Sequence, residues 1–298
     1  MQDAIEAGAP KVWLDMDQAA LDAAYDQSRY APNQDDVKAR RLMMSAVALE
    51  RLGLPEIVPY GAGANETFDL YRTPGTNRPL VIYVHGGAWR AGRAREFAVL
   101  AEPFVQAGAH VAILDFDLID ACQGDLFPMI AQVRRATAQI CAQANIYGAD
   151  PARIHVIGHS SGGHMASCIV STDWEEAFGL SPHILRGGML CSGMYDLEPV
   201  RRSARSRYVA FTQAMVEDLS AQRHLARISC PLILAHGTLE TPEFQRQARD
   251  FHAALMQAGK PVQMLVGTGY NHFEILETLA NPYGLLGHAA LVQMGLAG

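Results

Sequence analysis

Ile154-His155-Val156-Ile157-Gly158-His159-Ser160-Ser161-Gly162 is the stretch that decides the fold. A short β-branched run enters a glycine-bounded turn, and helix-like sequence follows through residues 162–172. A run of this kind ahead of a helix reads as a buried strand feeding a crossover. The same texture recurs on both sides. Upstream strands are expected at residues 56–59, 68–71, 80–84 and 110–116, and downstream strands at 188–191, 232–235 and 262–266. Helical stretches at 95–106, 129–145 and 244–257 alternate with them. That alternation predicts an α/β fold, an eight-stranded, mostly parallel sheet with helices on both faces. Val81-Ile82-Tyr83-Val84 and Leu232-Ile233-Leu234-Ala235 lack polar alternation, as strands buried on both faces do.

The chain has 298 residues, 49 % hydrophobic and 18 % charged, enough apolar material for one large α/β domain over 1–298. This balance excludes a disordered, collagen-like or coiled-coil chain. Residues 15–52 carry an apolar stripe at near-helical spacing, so 1–55 is expected to be an N-terminal helical extension. Residues 200–224, rich in Arg, break the alternation and are expected to form a small cap-like insertion, too short to bury a core of their own. The net charge of −7 argues against a nucleic-acid or anionic-membrane partner. Cys122, Cys141, Cys168, Cys191 and Cys230 form an odd, widely spaced set, which reads as reduced thiols of an intracellular protein. Met1 to Lys11 shows no apolar signal core, and no run approaches the ~18 apolar residues of a membrane span, so a cytoplasmic protein is expected. Homo-oligomerisation is left open.

Gly158-His159-Ser160-Ser161-Gly162 is Gly-x-Ser-x-Gly between a strand and a helix, the context of a nucleophile elbow. The turn is so tight that Ser160 takes strained backbone angles, and side chains at 158 and 162 would collide with neighbouring elements. Earlier in the chain, the strand at 80–84 runs into His85-Gly86-Gly87-Ala88-Trp89. A serine hydrolase must stabilise an oxyanion, and the backbone N–H groups of Gly86, Gly87 and Ser161 are the candidate donors, each worth about 3 kcal/mol. The chain order Ser, acid, His then calls for a late base. His272 follows the last strand, whereas His85 belongs to the glycine loop, His155 lies in a strand, His159 flanks the serine and His236 ends a strand. Glu240, just past the Gly237 turn, is the first choice of acid. Glu243 and Asp196 are its rivals, although Pro242 suggests that Glu243 already belongs to a helix. The eleven histidines show no His-Glu-x-x-His or comparable metal spacing, and no metal or cofactor is expected.

The order of His-Gly-Gly-Ala-Trp, Gly-His-Ser-Ser-Gly-Gly-His and a late Asn-His resembles the α/β-hydrolase superfamily of serine esterases. Finer features resemble its kynurenine formamidase branch. They are Tyr25-Asp26-Gln27-Ser28-Arg29-Tyr30, the segment 85–89, Ser192-Gly193-Met194-Tyr195-Asp196-Leu197, Thr241-Pro242-Glu243-Phe244-Gln245-Arg246-Gln247 and Asn271-His272-Phe273. The resemblance spans about residues 15 to 285. It implies the α/β-hydrolase fold, with Ser160 as nucleophile, Glu240 as acid, His272 as base, and Gly86, Gly87 and Ser161 as oxyanion donors. Two departures stand out. The acid is Glu where most such relatives have Asp, and residue 88 is Ala where formamidases more often carry a bulkier group. The implied substrate is a small carboxylic ester or an N-acyl, including N-formyl, aryl amide. Trp89, Tyr30, Tyr208 and Phe211, with His159 beside the serine, are candidate substrate-binding residues; ordinary packing is the competing reading for each. The alternative function is a small-ligand-binding homologue without catalysis, which a fluorophosphonate probe would leave unlabelled.

Overall fold

A computed structural model describes residues 9–297. Eight strands form one sheet: β1 (Glu56–Pro59), β2 (Thr67–Tyr71), β3 (Arg78–Val84), β4 (His110–Leu114), β5 (Ala149–His159), β6 (Gly187–Cys191), β7 (Leu232–Gly237) and β8 (Val262–Gly267). Their order is β1-β2-β4-β3-β5-β6-β7-β8. β2 pairs antiparallel with both neighbours, and every other pairing is parallel. The helices are α1 (Gln18–Ala24), α2 (Gln34–Leu52), α3 (Glu102–Gln106), α4 (Leu126–Ala142), α5 (Ser161–Val170), α6 (Trp174–Phe178), α7 (Leu197–Arg202), α8 (Gln213–Leu219), α9 (Pro242–Gln257), α10 (Glu274–Glu277) and α11 (Leu285–Gln293). This is the α/β-hydrolase arrangement.

Two apolar clusters sandwich the sheet. One side packs Leu80, Ile82 and Val84 of β3 with Met165 and Ile169 of α5 and Phe244 and Phe251 of α9. The other packs Val81 and Tyr83 with Phe97, Phe104 and Leu286. Burial on both faces explains why β3 has no polar alternation. Strand order also places the reactive edge. From β3 the chain moves to β4 on one side, then returns to β5 on the other, so the connections leaving β3 and β5 diverge and open a crevice at their carboxyl ends. Val84 pairs with Gly158, which sets the loop after β3 beside the turn after β5.

All eight expected strands are present, with shifted ends. β5 begins at Ala149, and β4 stops at Leu114, beyond which the Asp115 side chain accepts the Ala94 amide. The expected helix at 15–52 is broken: α1 ends at Ala24, a 3-10 turn covers Gln27–Arg29, and α2 starts after Pro32. Proline has no amide hydrogen and disfavours a helical residue before it, so the break falls there. The expected helix at 95–106 is a 3-10 segment, Ala94–Leu100, followed by α3 with Pro103 in its first turn. The 200–224 insertion begins slightly earlier, with α7, and continues through the turn Ala204–Arg207 to α8; Val200, Val209, Val216 and Leu219 sink into the first apolar cluster. The reading of Met1 to Lys11 lies mostly outside the described residues. Among the described residues, no helix is long and apolar enough to cross a membrane.

Candidate active site

Ser160 stands between β5 and α5 at φ 59° and ψ −125°, left-handed backbone that a non-glycine residue adopts at a cost of about 1–3 kcal/mol. Its surroundings leave no room to relax. A Cβ at Gly158 would lie 2.2 Å from the Gly162 carbonyl oxygen, and one at Gly162 would lie 2.1 Å from that of Val84. The Ser160 amide donates to the Cys191 carbonyl on β6 at 3.0 Å. The loop after β3 presses on this turn, since a Cβ at Gly86 would approach Ser160 Cβ to 3.0 Å and the His159 carbonyl to 2.7 Å. Gly87, Ala88 and Trp89 all take positive φ there, at 131°, 55° and 63°. The Trp89 amide donates to Ser161 Oγ at 3.2 Å, pinning this loop to the start of α5. The 86–89 loop and the start of α5 thus meet beside Ser160. Ala88, the departure noted from the formamidase pattern, lies in the same curl.

His272, on the loop after β8, places Nε2 2.8 Å from Ser160 Oγ and Nδ1 2.9 Å from Glu240 Oε2. All three side chains are buried, Ser160 at 8 % exposed, His272 at 3 % and Glu240 at 1 %. The order hydroxyl, imidazole, carboxylate makes Nδ1 the protonated donor to Glu240 and leaves Nε2 to accept from Ser160. Glu240 Oε1 accepts from the Gly237 amide at 2.7 Å and from Ser192 Oγ at 2.6 Å. The rival carboxylates are engaged elsewhere. Glu243 forks with Arg246 and accepts from Tyr25 Oη; Asp196 caps α7 through the Glu198 amide.

The longer arm of glutamate is held by residues the sequence reading did not assign. Gln27, from the 3-10 turn after α1, reaches Thr241 and Glu240: the Thr241 amide donates to its Oε1 at 3.2 Å, and its Nε2 lies 3.5 Å from Glu240 Oε2. Asn33 accepts from Asn271 Nδ2 at 2.8 Å and donates to Glu274 Oε1 at 2.6 Å, gripping the His272 loop on both sides. Both belong to the N-terminal extension, and Gln27 sits within the quoted 25–30 motif, the one local signal that could have pointed to it.

The candidate substrate-binding residues divide. Trp89 is 1 % exposed and packs edge-on against His164 and Phe211. Tyr208, half-buried, accepts from Arg205 Nη1 at 2.8 Å while Arg90 stacks on its ring. Phe211 and Tyr208 belong to the insertion, and Phe211 packs on Trp89 of the glycine loop. Tyr30 is 41 % exposed and makes no side-chain hydrogen bond among the described residues. His159 backs the base: its Nε2 donates to the His272 carbonyl at 2.8 Å, and its ring packs on the His272 ring at 4.7 Å. Burial, and then the neighbouring His272, push the His159 pKa well below its ordinary value, so it is a neutral backing for the imidazole. His85 is stacked between Phe97 and Phe116. Among the described residues, no cluster of three or more His, Cys, Asp or Glu side chains is arranged to hold a metal.

Fold and site together define the class, an α/β-hydrolase enzyme. A model of the prolyl oligopeptidase family matches residues 135–281, and a BD-FAE model matches 68–181. A crystallised candidate thioesterase from Silicibacter sp. TM1040 superposes with a TM-score of 0.74 at 24 % identity, covering 88 % of this chain and 95 % of that one. Isoprenylcysteine alpha-carbonyl methylesterase of Arabidopsis thaliana is 25 % identical over 247 residues, 73 % of this chain and 56 % of that protein. Kynurenine formamidase of Danio rerio is 32 % identical over 297 residues, 95 % of this chain and 98 % of that protein. The chain belongs to the kynurenine formamidase family.

Proposed function

We propose that this enzyme hydrolyses an N-formyl or other short N-acyl aryl amide, and small carboxylic esters with it, using Ser160 as nucleophile, His272 as base and Glu240 as acid. The observation that carries this reading is the buried chain from Glu240 through His272 to Ser160, with separations of 2.9 and 2.8 Å, ending on a serine that its backbone holds out of the sheet. His272 Nε2 takes the hydroxyl proton as Ser160 Oγ bonds to the carbonyl carbon. The oxyanion is received by the amides of Gly86, Gly87 and Ser161. The C–N bond then breaks, and the departing amine takes the proton from Nε2–H. Water repeats the sequence from the other side: His272 takes its proton, its oxygen attacks the acyl carbon, and Ser160 recovers its hydrogen as formate or another carboxylate leaves. An ester follows the same course with an alcohol as leaving group.

The amide is favoured over the ester by the near full-length match to the formamidase relative, against a partial match to the methylesterase. Phe211 and Tyr208 of the insertion, backed by the buried Trp89, are the proposed aromatic contacts for an aryl leaving group. The five cysteines are unpaired, which supports a reducing cytoplasmic setting. The test is kcat/KM on N-formylkynurenine against a panel of short-chain aryl and alkyl esters. A preference of more than tenfold for the formamide, about 1.4 kcal/mol, is expected. An equal preference for the esters overturns the amide reading, and turnover retained in Ser160→Ala overturns the nucleophile.

A further inference from the structure

Ser192 lies at the end of β6, outside the glycine loop, the elbow and the His272 loop, and is fully buried. It holds φ 53°, again the left-handed region where glycine or asparagine is the favoured residue. A serine kept there pays about 1 kcal/mol or more relative to glycine, so the hydroxyl itself needs an explanation. Its Oγ donates to Glu240 Oε1 at 2.6 Å. On its other side Cys191 Sγ lies 3.3 Å away, and burial keeps that thiol protonated, so a short donor chain ends on the carboxylate.

The turn that carries Ser192 touches both ends of the relay. The Cys191 carbonyl accepts the Ser160 amide, the Ser192 amide donates to Ala235 on β7 at 2.8 Å, and the Ser192 hydroxyl meets Glu240. The turn is braced from below. Tyr195 Oη accepts the Gly193 amide at 3.2 Å and donates to the Leu190 carbonyl at 3.1 Å, while Gln247 Oε1 accepts the amides of Tyr195 and Asp196. A glutamate has one more rotatable bond than an aspartate. Oε2 faces His272 and, at 3.5 Å, Gln27, whereas Oε1 is held by the Gly237 amide of its own loop and by Ser192 from β6, so Ser192 adds to Oε1 a donor from a different strand.

We propose that Ser192 is a positioning residue for the proton relay: by fixing Glu240 Oε1 from β6, it holds Oε2 toward His272 Nδ1. This rests on the triad proposed above. It gives a role to the Ser192-Gly193-Met194-Tyr195 motif that the triad itself leaves unused, and it accounts for how glutamate serves in this position.

The experiment compares Ser192→Gly and Ser192→Ala with wild type, using the best substrate of the panel. Glycine keeps the left-handed backbone and removes only the hydroxymethyl group, so a purely structural serine predicts unaltered catalysis in Ser192→Gly. The expected result is the opposite. In Ser192→Gly kcat falls at least tenfold while KM stays within twofold. The low-field proton resonance of His272 Nδ1–H moves upfield or broadens, which reads the relay without turnover. Ser192→Ala shows the same loss of kcat with a lower melting temperature. Wild-type kcat and resonance in Ser192→Gly would overturn the proposal, as would a loss residing wholly in KM. Should Ser192→Gly unfold, the serine is a folding residue and the proposal falls as well. Ser160→Ala and Glu240→Gln run beside it: if they retain turnover the triad itself fails, whereas dead controls with an unaffected Ser192→Gly remove Ser192 alone.

Discussion

On one side of the cleft Ser160 is held by main chain. Gly158, Gly162 and Gly86 bring backbone to within van der Waals contact, and the Cys191 carbonyl takes the serine amide. On the other side His272 and Glu240 sit on loops, and side chains from distant segments hold them: Ser192, His159, Gln27 and Asn33. The two constructions fail differently. Backbone packing admits no added atom, so a single Cβ breaks it outright. A set of side-chain hydrogen bonds loses one member at a time, each worth about 0.5–1.5 kcal/mol when neutral and about 1.5–3 kcal/mol to a charge.

Variants that break this contrast separate by size. The largest effect is expected from Ser160→Ala, with kcat down by about 10⁶-fold and an unchanged or higher melting temperature, since it removes the proposed nucleophile but no packing. Glu240→Gln follows, at about 10⁴-fold in kcat, because the neutral amide no longer selects the imidazole tautomer that accepts from Ser160. Steady-state kinetics on one formamide and one ester measures both. Gly162→Ala tests the backbone side directly. Its Cβ would meet the Val84 oxygen at 2.1 Å and the His85 oxygen at 2.6 Å, and a loss of more than about 3 kcal/mol in urea unfolding is expected. A tolerated alanine there would show that this side can relax after all.

Acid should weaken the serine side in a predictable window. His155 on β5 and His164 on α5 are each held down to about 4, chiefly by burial. The unfolded chain binds protons at these positions below about pH 6.5 and the folded one does not until about pH 4. Stability therefore falls as pH drops through that interval, by up to about 1.4 kcal/mol per pH unit for each histidine, and is fully regained above it. Hydrogen exchange at pH 5 should show β5 and α5 loosening before β7 and β8. The smallest expected effect is on the loop side. Asn33→Ala should lower kcat severalfold and stability by about 1 kcal/mol, since Asn271 and Glu274 lose one partner each and keep the bonds they make to one another.

The same contrast explains what could be read from the chain. Main-chain constraints leave a local trace: Gly158, Gly162, Gly86 and Gly87 flank Ser160 or follow a β-branched run, so elbow and loop are legible from spacing. Glu240 is legible from its place after the Gly237 turn, but the choice against Glu243 and Asp196 depends on Arg246, Tyr25 and the cap of α7, which no short window contains. Gln27 meets Thr241 from 214 positions away and Asn33 meets Asn271 from 238, and no periodicity encodes either contact. Adjacency to Ser160 marks His159 as near the chemistry, but its contact with the His272 carbonyl, 113 positions away, is not legible in the chain. Tyr30 was grouped with the aromatic wall by residue type alone, and the chain carries it to the outside.

The grip of Gln27 and Asn33 on loops near the far end of the polypeptide has a consequence for biosynthesis. The segment holding them leaves the ribosome well before its docking sites, the turn at 237–241 and the loop at 271–274, which are made more than two hundred residues later. At about 5–20 residues per second the early helices wait ten seconds or more with nothing to clasp. A nascent chain therefore cannot be an active hydrolase while the tunnel still hides its last strand, and truncated products of interrupted translation should be catalytically silent.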